Sequence, residues 1–165
     1  MNKSSFLLVL FLCYFVSCAE DQKNIDVESL VVTDLAFANQ IKSSPEQIVI
    51  GSGRLTLYTY FWRDFMPSTE ENGSPLMGVI RFEGQTGAIL SNTISLSKLY
   101  VVNDNNIWIC DVFETRIVDN DIWEAVFRNG PKWEPGIDVD VICEFESLGQ
   151  SYRLMAKSQT INATY

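Results

Sequence analysis

The sequence predicts an all-β fold, an antiparallel β-sandwich of two sheets, over residues 30–165. Apolar and polar residues alternate from about residue 30 onward, which is the repeat of strands with one buried face. Polar segments rich in Gly, Asn, Asp and Pro interrupt the alternation at short intervals, so the strands are short and numerous. About seven to nine such strands fit a two-sheet sandwich, and a small β-barrel is the alternative.

The individual strands are the apolar segments between these turns. Residues 30–38 are dense in β-branched side chains and are assigned to a strand, with a helix as the alternative because their apolar residues also have a loose helical spacing. Residues 54–62 form the strongest segment, since they are rich in Leu, Tyr, Thr, Phe and Trp. The other predicted strands are residues 48–50, 76–82, 93–102, 107–113, 122–127, 137–145 and 152–157.

The last two strands are patterned well enough to predict their register. A turn at residues 147–150 places acid opposite base on one face of the hairpin and apolar opposite apolar on the other. The predicted pairs are Glu144 with Arg153, Asp140 with Lys157, Cys143 with Leu154, and Phe145 with Tyr152. A slip of one residue would lose both matches, so the hairpin has one favoured register.

The number and spacing of the strands resemble those of immunoglobulin-like and fibronectin-type domains, which implies a sandwich. The Cys–Trp–Cys framework of immunoglobulin domains is not matched, because Cys110 and Cys143 are close in sequence and no Tyr lies two residues before Cys143. Both cysteines have apolar neighbours in predicted strands. They form either a disulfide between strands or two reduced core thiols. A nucleophilic role is disfavoured, because no histidine is present to activate a thiol.

The N-terminal segment has the pattern of an export signal. Lys3 precedes a run of about eleven apolar residues at 6–16, which suits a signal-peptide core and is shorter than the roughly 20 residues needed to cross a bilayer. Residues 15–18 resemble the lipobox of bacterial lipoproteins, although Phe15 stands where Leu is usual. The resemblance implies a signal peptide at residues 1–18 and a lipid anchor on Cys18.

The same resemblance implies a bacterial envelope protein that is held to a membrane by its lipid, with residues 19–29 as a flexible tether to the domain. Cleavage after Ala19 is the alternative and would give a secreted protein.

Composition limits the partners and the chemistry. The chain has 21 acidic and 12 basic residues and a net charge of −9, so it repels phosphate backbones and no nucleic-acid partner is expected. The absence of histidine excludes histidine-based catalytic triads and histidine-containing metal sites. Oxygen-rich turns at residues 103–106 and 119–121 lack the spacing of a calcium-binding EF-hand and suit local turn formation better. No metal or cofactor is therefore expected.

Two aromatic segments supply the candidate binding residues. A loop at residues 130–136 holds Lys132 and Trp133 between two prolines and two glycines, which makes Trp133 a rigid anchor for a protein or a sugar. Trp62 and Arg63 lead out of the strongest strand into a polar loop at residues 67–75. For Trp133 the favoured interpretation is a side chain that folds back and covers one end of the sandwich, and the same choice is open for the aromatic residues at 62–67.

The sequence therefore favours a non-catalytic binding or assembly module on the cell surface or in the periplasm, anchored by lipid, with an envelope protein or a glycan as partner. A small hydrolase using carboxylates is one alternative. It is disfavoured because Asp140 and Glu144 have predicted basic partners, whereas a general acid needs a raised pKa. A secreted structural subunit that adds a strand to a partner's sheet is the other alternative.

Overall fold

The computed structural model describes residues 30–67, 70–84, 94–118 and 122–165. The predicted signal peptide, the anchor residue Cys18, the tether and the turn at 119–121 lie outside these residues. The described elements are β1 (Leu30–Thr33), α1 (Leu35–Ile41), β2 (Ile48–Ile50), β3 (Gly53–Asp64), β4 (Leu76–Gly84), β5 (Ile94–Asn103), β6 (Asn106–Cys110), β7 (Glu114–Val118), β8 (Ile122–Gly130), β9 (Asp138–Ser147) and β10 (Gln150–Thr164).

The strands belong to one sheet. Nine of them follow the order β1-β6-β5-β9-β10-β3-β4-β8-β7, and β2 pairs with β3 beside this path. The pairing of β10 with β3 is parallel and the other described pairings are antiparallel, so the sheet is mixed.

Strand β10 joins the two halves of the sheet. Residues 150–160 pair with β9, and residues 161–164 pair with β3. A bulge between Ala156 and Gln159 contains Ser158 with a φ of 51°, and such irregularities bend a strand and increase its twist. The bend lets one strand leave the first half of the sheet and enter the second.

A short connection forces the sheet to curl into a half-barrel. Residues 111–113 link β6, which is next to one end of the strand order, to β7, which is the other end. Four Cα-to-Cα steps span at most about 14 Å, so the two ends must approach each other. They are in contact at Trp108 and Gly130, where a Cβ added to the glycine would lie 2.9 Å from the Trp108 ring.

The main core lies inside the curl, and a second core lies outside it. Strands β2 to β6 and β8 to β10 contribute buried side chains to the main cluster. On the outer side of β5, β6, β9 and β10, helix α1 buries Ala38 and Ile41 against a second cluster that includes Tyr100 and Met155. The helix begins after Asp34, whose side chain accepts a hydrogen bond of 2.9 Å from the Phe37 backbone N–H.

The predicted immunoglobulin-like two-sheet sandwich is wrong. The structure is mostly β, but a single curled mixed sheet replaces the two packed antiparallel sheets, because β10 is shared between the halves. The barrel alternative is not formed either, since β1 and β7 do not pair with each other among the described residues.

Two local predictions are also corrected. Residues 30–38 contain a four-residue strand and the start of α1 instead of one strand, because Asp34 caps a helix whose apolar side packs on the sheet. Strand β7 was not predicted, since its side chains are mostly exposed and the segment lacks a buried alternation.

The predicted hairpin register is confirmed over most of its length. Glu144 lies opposite Arg153, Cys143 opposite Leu154, and Phe145 opposite Tyr152. The expected pair of Asp140 with Lys157 is wrong, because the bulge shifts the register there. Asp140 instead forms an ion pair of 2.9 Å with Lys42, and Lys157 pairs with Glu46 at 2.9 Å.

Candidate functional site

Three aromatic side chains line the outer face of β3 and are called the aromatic row: Tyr58, Tyr60 and Trp62. Alternate residues of β3 are buried inside the curl, so these three share the opposite face. Tyr58 and Tyr60 are each 40% exposed, and Trp62 is half-buried. The Tyr60 and Trp62 rings lie 5.4 Å apart with their planes 32° from parallel. The row extends about 13 Å along β3, which pairs with β4 along the whole row and with β10 from Phe61 onward.

The neighbouring strand β4 supports the aromatic row. Arg81, Val79 and Met77 lie opposite Tyr58, Tyr60 and Trp62 respectively. The Arg81 guanidinium lies 5.4 Å from the centre of the Tyr58 ring, which is a cation–π distance.

A charge cluster fixes Arg81 in this position. Glu124 on β8 is fully buried, and its two carboxylate oxygens accept hydrogen bonds from Arg81 at 2.6 Å and from Arg116 at 2.7 Å. Burial by itself raises the pKa of the Glu124 carboxyl, but the two guanidinium groups outweigh it and hold that pKa below its ordinary value. Glu124 is therefore an ionised structural anion, unlike a general acid.

The predicted binding residue Arg63 is buried between two loops. It is 2% exposed, and its guanidinium donates hydrogen bonds to the carbonyl oxygens of Ser74 at 2.9 Å and of Lys132 and Trp133 at 3.2 Å. It also donates to the Asn72 carbonyl. These contacts tie the loop before β4 to the loop after β8.

Lys132 and Trp133, the other predicted binding residues of that loop, are also placed at this end of the molecule. Trp133 is half-buried and packs against the main core, as the favoured core-covering interpretation predicts. Lys132 is exposed and forms an ion pair with Glu70. The structure therefore separates the predicted set, since Trp62 faces outward with the aromatic row whereas Arg63 and Trp133 face the core.

Cys110 and Cys143 are buried, free thiols. Both lie opposite Leu99, one on each side of β5, so two strand spacings of about 4.8 Å separate them, which is beyond disulfide reach. Burial raises the pKa of both thiols, most strongly that of Cys143. The Cys110 thiol donates to the Val112 carbonyl. Neither group has the features of an activated nucleophile.

A cleft of about 290 Å³ lies where the two ends of the curled sheet meet. It is lined by Trp108 and Cys110 of β6, by Phe113 of the following link, and by Val126 and Arg128 of β8. Most of its lining is apolar, and the Phe113 ring packs 5.5 Å from the Phe127 ring. The cleft is a consequence of the incomplete closure of the half-barrel.

The acidic stripe on β9 is engaged in pairing. Glu144 forms an ion pair of 3.1 Å with Arg153, and Asp138 accepts a hydrogen bond of 2.6 Å from Thr160. Within the described ranges, no group of three or more His, Cys, Asp or Glu side chains is arranged to hold a metal ion. The same part of the chain has no helix long and apolar enough to cross a membrane.

Comparisons with known proteins give no match: no family model fits the chain, and no curated protein and no solved structure is significantly similar to it. The surface chemistry of the chain itself is therefore the basis for assigning a function. Of the aromatic row, sequence reasoning singled out Trp62 and missed Tyr58 and Tyr60. Their i, i+2, i+4 spacing in the strongest predicted strand is the signal that could have identified them.

Proposed function

We propose that the protein is a non-catalytic binding module displayed outside the cytoplasm, and that the aromatic row contacts a neutral glycan. The observation that carries the proposal is a line of three aromatic side chains on the outer face of one strand, of which Tyr58 and Tyr60 are exposed and Trp62 is half-buried. Helix α1 packs on the outer face of the other half of the sheet, whereas Tyr58 and Tyr60 on this half are each 40% exposed. Exposed apolar surface of this kind is typical of interaction sites.

The chemistry of the row suits a sugar chain. Pyranose rings present an apolar C–H face that packs on the electron-rich face of an aromatic ring, and their hydroxyls need polar partners at the edge. Tyrosine hydroxyls and the Arg81 guanidinium supply such partners beside the rings. Because the chain has a net charge of −9, an uncharged glycan is favoured over an acidic one.

Binding without turnover is favoured by the state of the acidic groups. A carboxylate hydrolase needs one acid with a raised pKa beside an ionised one. The pKa of buried Glu124 is lowered, and Glu144 is held in an ion pair with Arg153.

The proposal includes attachment to the cell envelope through a lipid on Cys18. Support comes from the lipobox-like residues 15–18. The intact mass of the protein from its host's membranes tests this part. An acylated chain that begins at Cys18 would support the anchor, whereas a chain that begins at Glu20 would replace it with secretion.

Binding is tested by calorimetry, in which soluble neutral glucans and mannans of increasing length are titrated into the protein. Tyr60→Ala and Trp62→Ala should each weaken binding about tenfold or more, since stacking on one aromatic ring contributes about 1–3 kcal/mol. Tyr165→Ala is the matched control, because Tyr165 is 87% exposed and lies outside the row.

Two results would overturn the glycan assignment. One is the absence of binding to every neutral glycan, in which case a protein partner for the row is the remaining candidate. The other is equal weakening by Tyr165→Ala, which would place the contact elsewhere on the molecule.

A further inference from the structure

Strand β7 is an edge strand with an unusual exposure pattern. It pairs with β8 on one side, and none of the described residues pairs with its other side. Ile117 lies opposite Trp123, on the face that carries buried Ala125, yet it is 60% exposed. A free edge with an exposed apolar residue on its core side is open to the addition of another strand.

The sequence around β7 is complementary to itself when the β7 strands of two copies pair antiparallel with Thr115 at the centre. In that register Glu114 lies opposite Arg116 of the second copy, and Thr115 lies opposite itself. On the core side Phe113, the half-buried residue that directly precedes β7 and packs on Phe127, lies opposite Ile117 of the second copy. Acid therefore meets base on the outer face and apolar meets apolar on the inner face, which are the favourable cross-strand combinations.

Neighbouring two-fold registers are worse. Pairing about Arg116 would place this arginine opposite its own copy, and like charges directly opposite each other are unfavourable. A shift by a single residue would pair the outer face of one copy with the inner face of the other. The pattern thus selects one register.

Existing contacts of β7 leave its two charged groups, Glu114 and Arg116, accessible. Arg116 uses Nε and Nη2 toward Glu124, so Nη1 can donate to a carboxylate of another chain. Glu114 is 75% exposed and has only a long contact of 4.0 Å to Arg128. Neither group has to leave a buried site in order to pair across the edge.

We propose that two copies of this chain associate through antiparallel pairing of their β7 strands about Thr115. The interface is isologous, because the same strand serves on both sides of a two-fold axis. The axis is perpendicular to the sheet, so both outer faces point the same way. If the aromatic rows bind a glycan as proposed above, the dimer displays two rows to one polymer, but the pairing itself does not depend on that function.

Disulfide trapping in the full chain tests the register. Thr115→Cys places a thiol directly opposite its copy, where Cβ atoms of facing residues lie about 4.5–5.5 Å apart. Ile117→Cys is the matched control, because its two copies would be about 13 Å apart. Under mild oxidation, a cross-link between the substituted positions, identified in the linked peptides by mass spectrometry, should form at least about tenfold faster for Thr115→Cys. Equal rates, or faster linking at position 117, would overturn the register.

Sedimentation equilibrium of the full chain tests the association itself. Glu114→Arg should weaken dimerisation about tenfold or more, because it places two pairs of like charges across the edge. Ile117→Lys should do the same by placing a charge on the inner side of the edge.

The matched controls make the same kinds of substitution at exposed positions away from β7. They are Glu146→Arg on β9 and Leu148→Lys in the following turn, where Leu148 is 71% exposed. A chain that stays monomeric at all concentrations would overturn the proposal, and so would equal weakening by the controls.

Discussion

Replacing Arg63 should unfold the loop end of the molecule, because this side chain is a structural bridge. Its guanidinium donates to carbonyls at residues 72, 74, 132 and 133, and it is 2% exposed. A hydrogen bond to a charged group contributes about 1.5–3 kcal/mol, and losses within one network are not additive. As the loops relax, water reaches some of the carbonyls. We therefore expect Arg63→Ala to lower the free energy of unfolding by about 3–4 kcal/mol.

Urea denaturation with the native and variant chains measures this loss, and thermal unfolding should show a midpoint lowered by about 10 °C. Arg63→Lys keeps the charge but cannot reproduce the planar fork of donors, so about half of the loss is expected. Arg128→Ala is the surface control. Its side chain is 52% exposed, and its removal should change stability by less than about 0.5 kcal/mol.

Hydrogen exchange locates the effect. Backbone amides in the loops at residues 70–75 and 130–136 should exchange faster in Arg63→Ala than those in the centre of the sheet. A variant whose stability lies within about 1 kcal/mol of the native chain, with unchanged exchange in both loops, would refute the bridging role. Arg63 would then return to the set of candidate binding residues.

Three further outcomes follow from buried groups. The pKa of the Glu124 carboxyl is lower in the folded chain than in the unfolded chain, where it is about 4.3. The ionised carboxylate therefore adds to the free energy of unfolding above that pH, and this contribution is lost as the pH falls through the folded-state pKa. The difference in free energy of unfolding between the native chain and Glu124→Gln, measured by urea denaturation, should thus be large at neutral pH and smaller in acid. A difference that does not change with pH would contradict this role of Glu124. Gly78→Ala should destabilise by about 1–3 kcal/mol, because the new Cβ overlaps the Phe61 ring, and Phe61→Leu should recover part of this loss. Cys143, which is fully buried, should resist iodoacetamide until the chain is unfolded, and rapid labelling of this thiol in the native protein would show that it is accessible.

The arrangement of the candidate site was only partly accessible from sequence. Trp62 was recognised as a candidate, but its neighbours in the aromatic row were not assigned to a common exposed face. Arg63 follows Trp62 directly in sequence, and because successive strand residues point to opposite faces, the two side chains have different environments. The carbonyl partners of Arg63 come from two loops that are distant in sequence, so no local pattern could have indicated them.

Sequence alone determined most strand positions and the central register of the last hairpin. Alternation assigns each residue to a face, and the pairing of Glu144 with Arg153 and of Phe145 with Tyr152 depends on neighbours within about ten residues of chain. Only the tertiary structure decided which strands are neighbours across long separations. The parallel contact of β10 with β3 joins residues about 100 positions apart, and no local periodicity encodes such a contact. The structure is one curled sheet instead of the expected sandwich for two reasons. The bulge at Ser158 and the parallel pairing of β10 with β3 make the two halves of the sheet share a strand, and the three-residue link from β6 to β7 brings the ends of the sheet together.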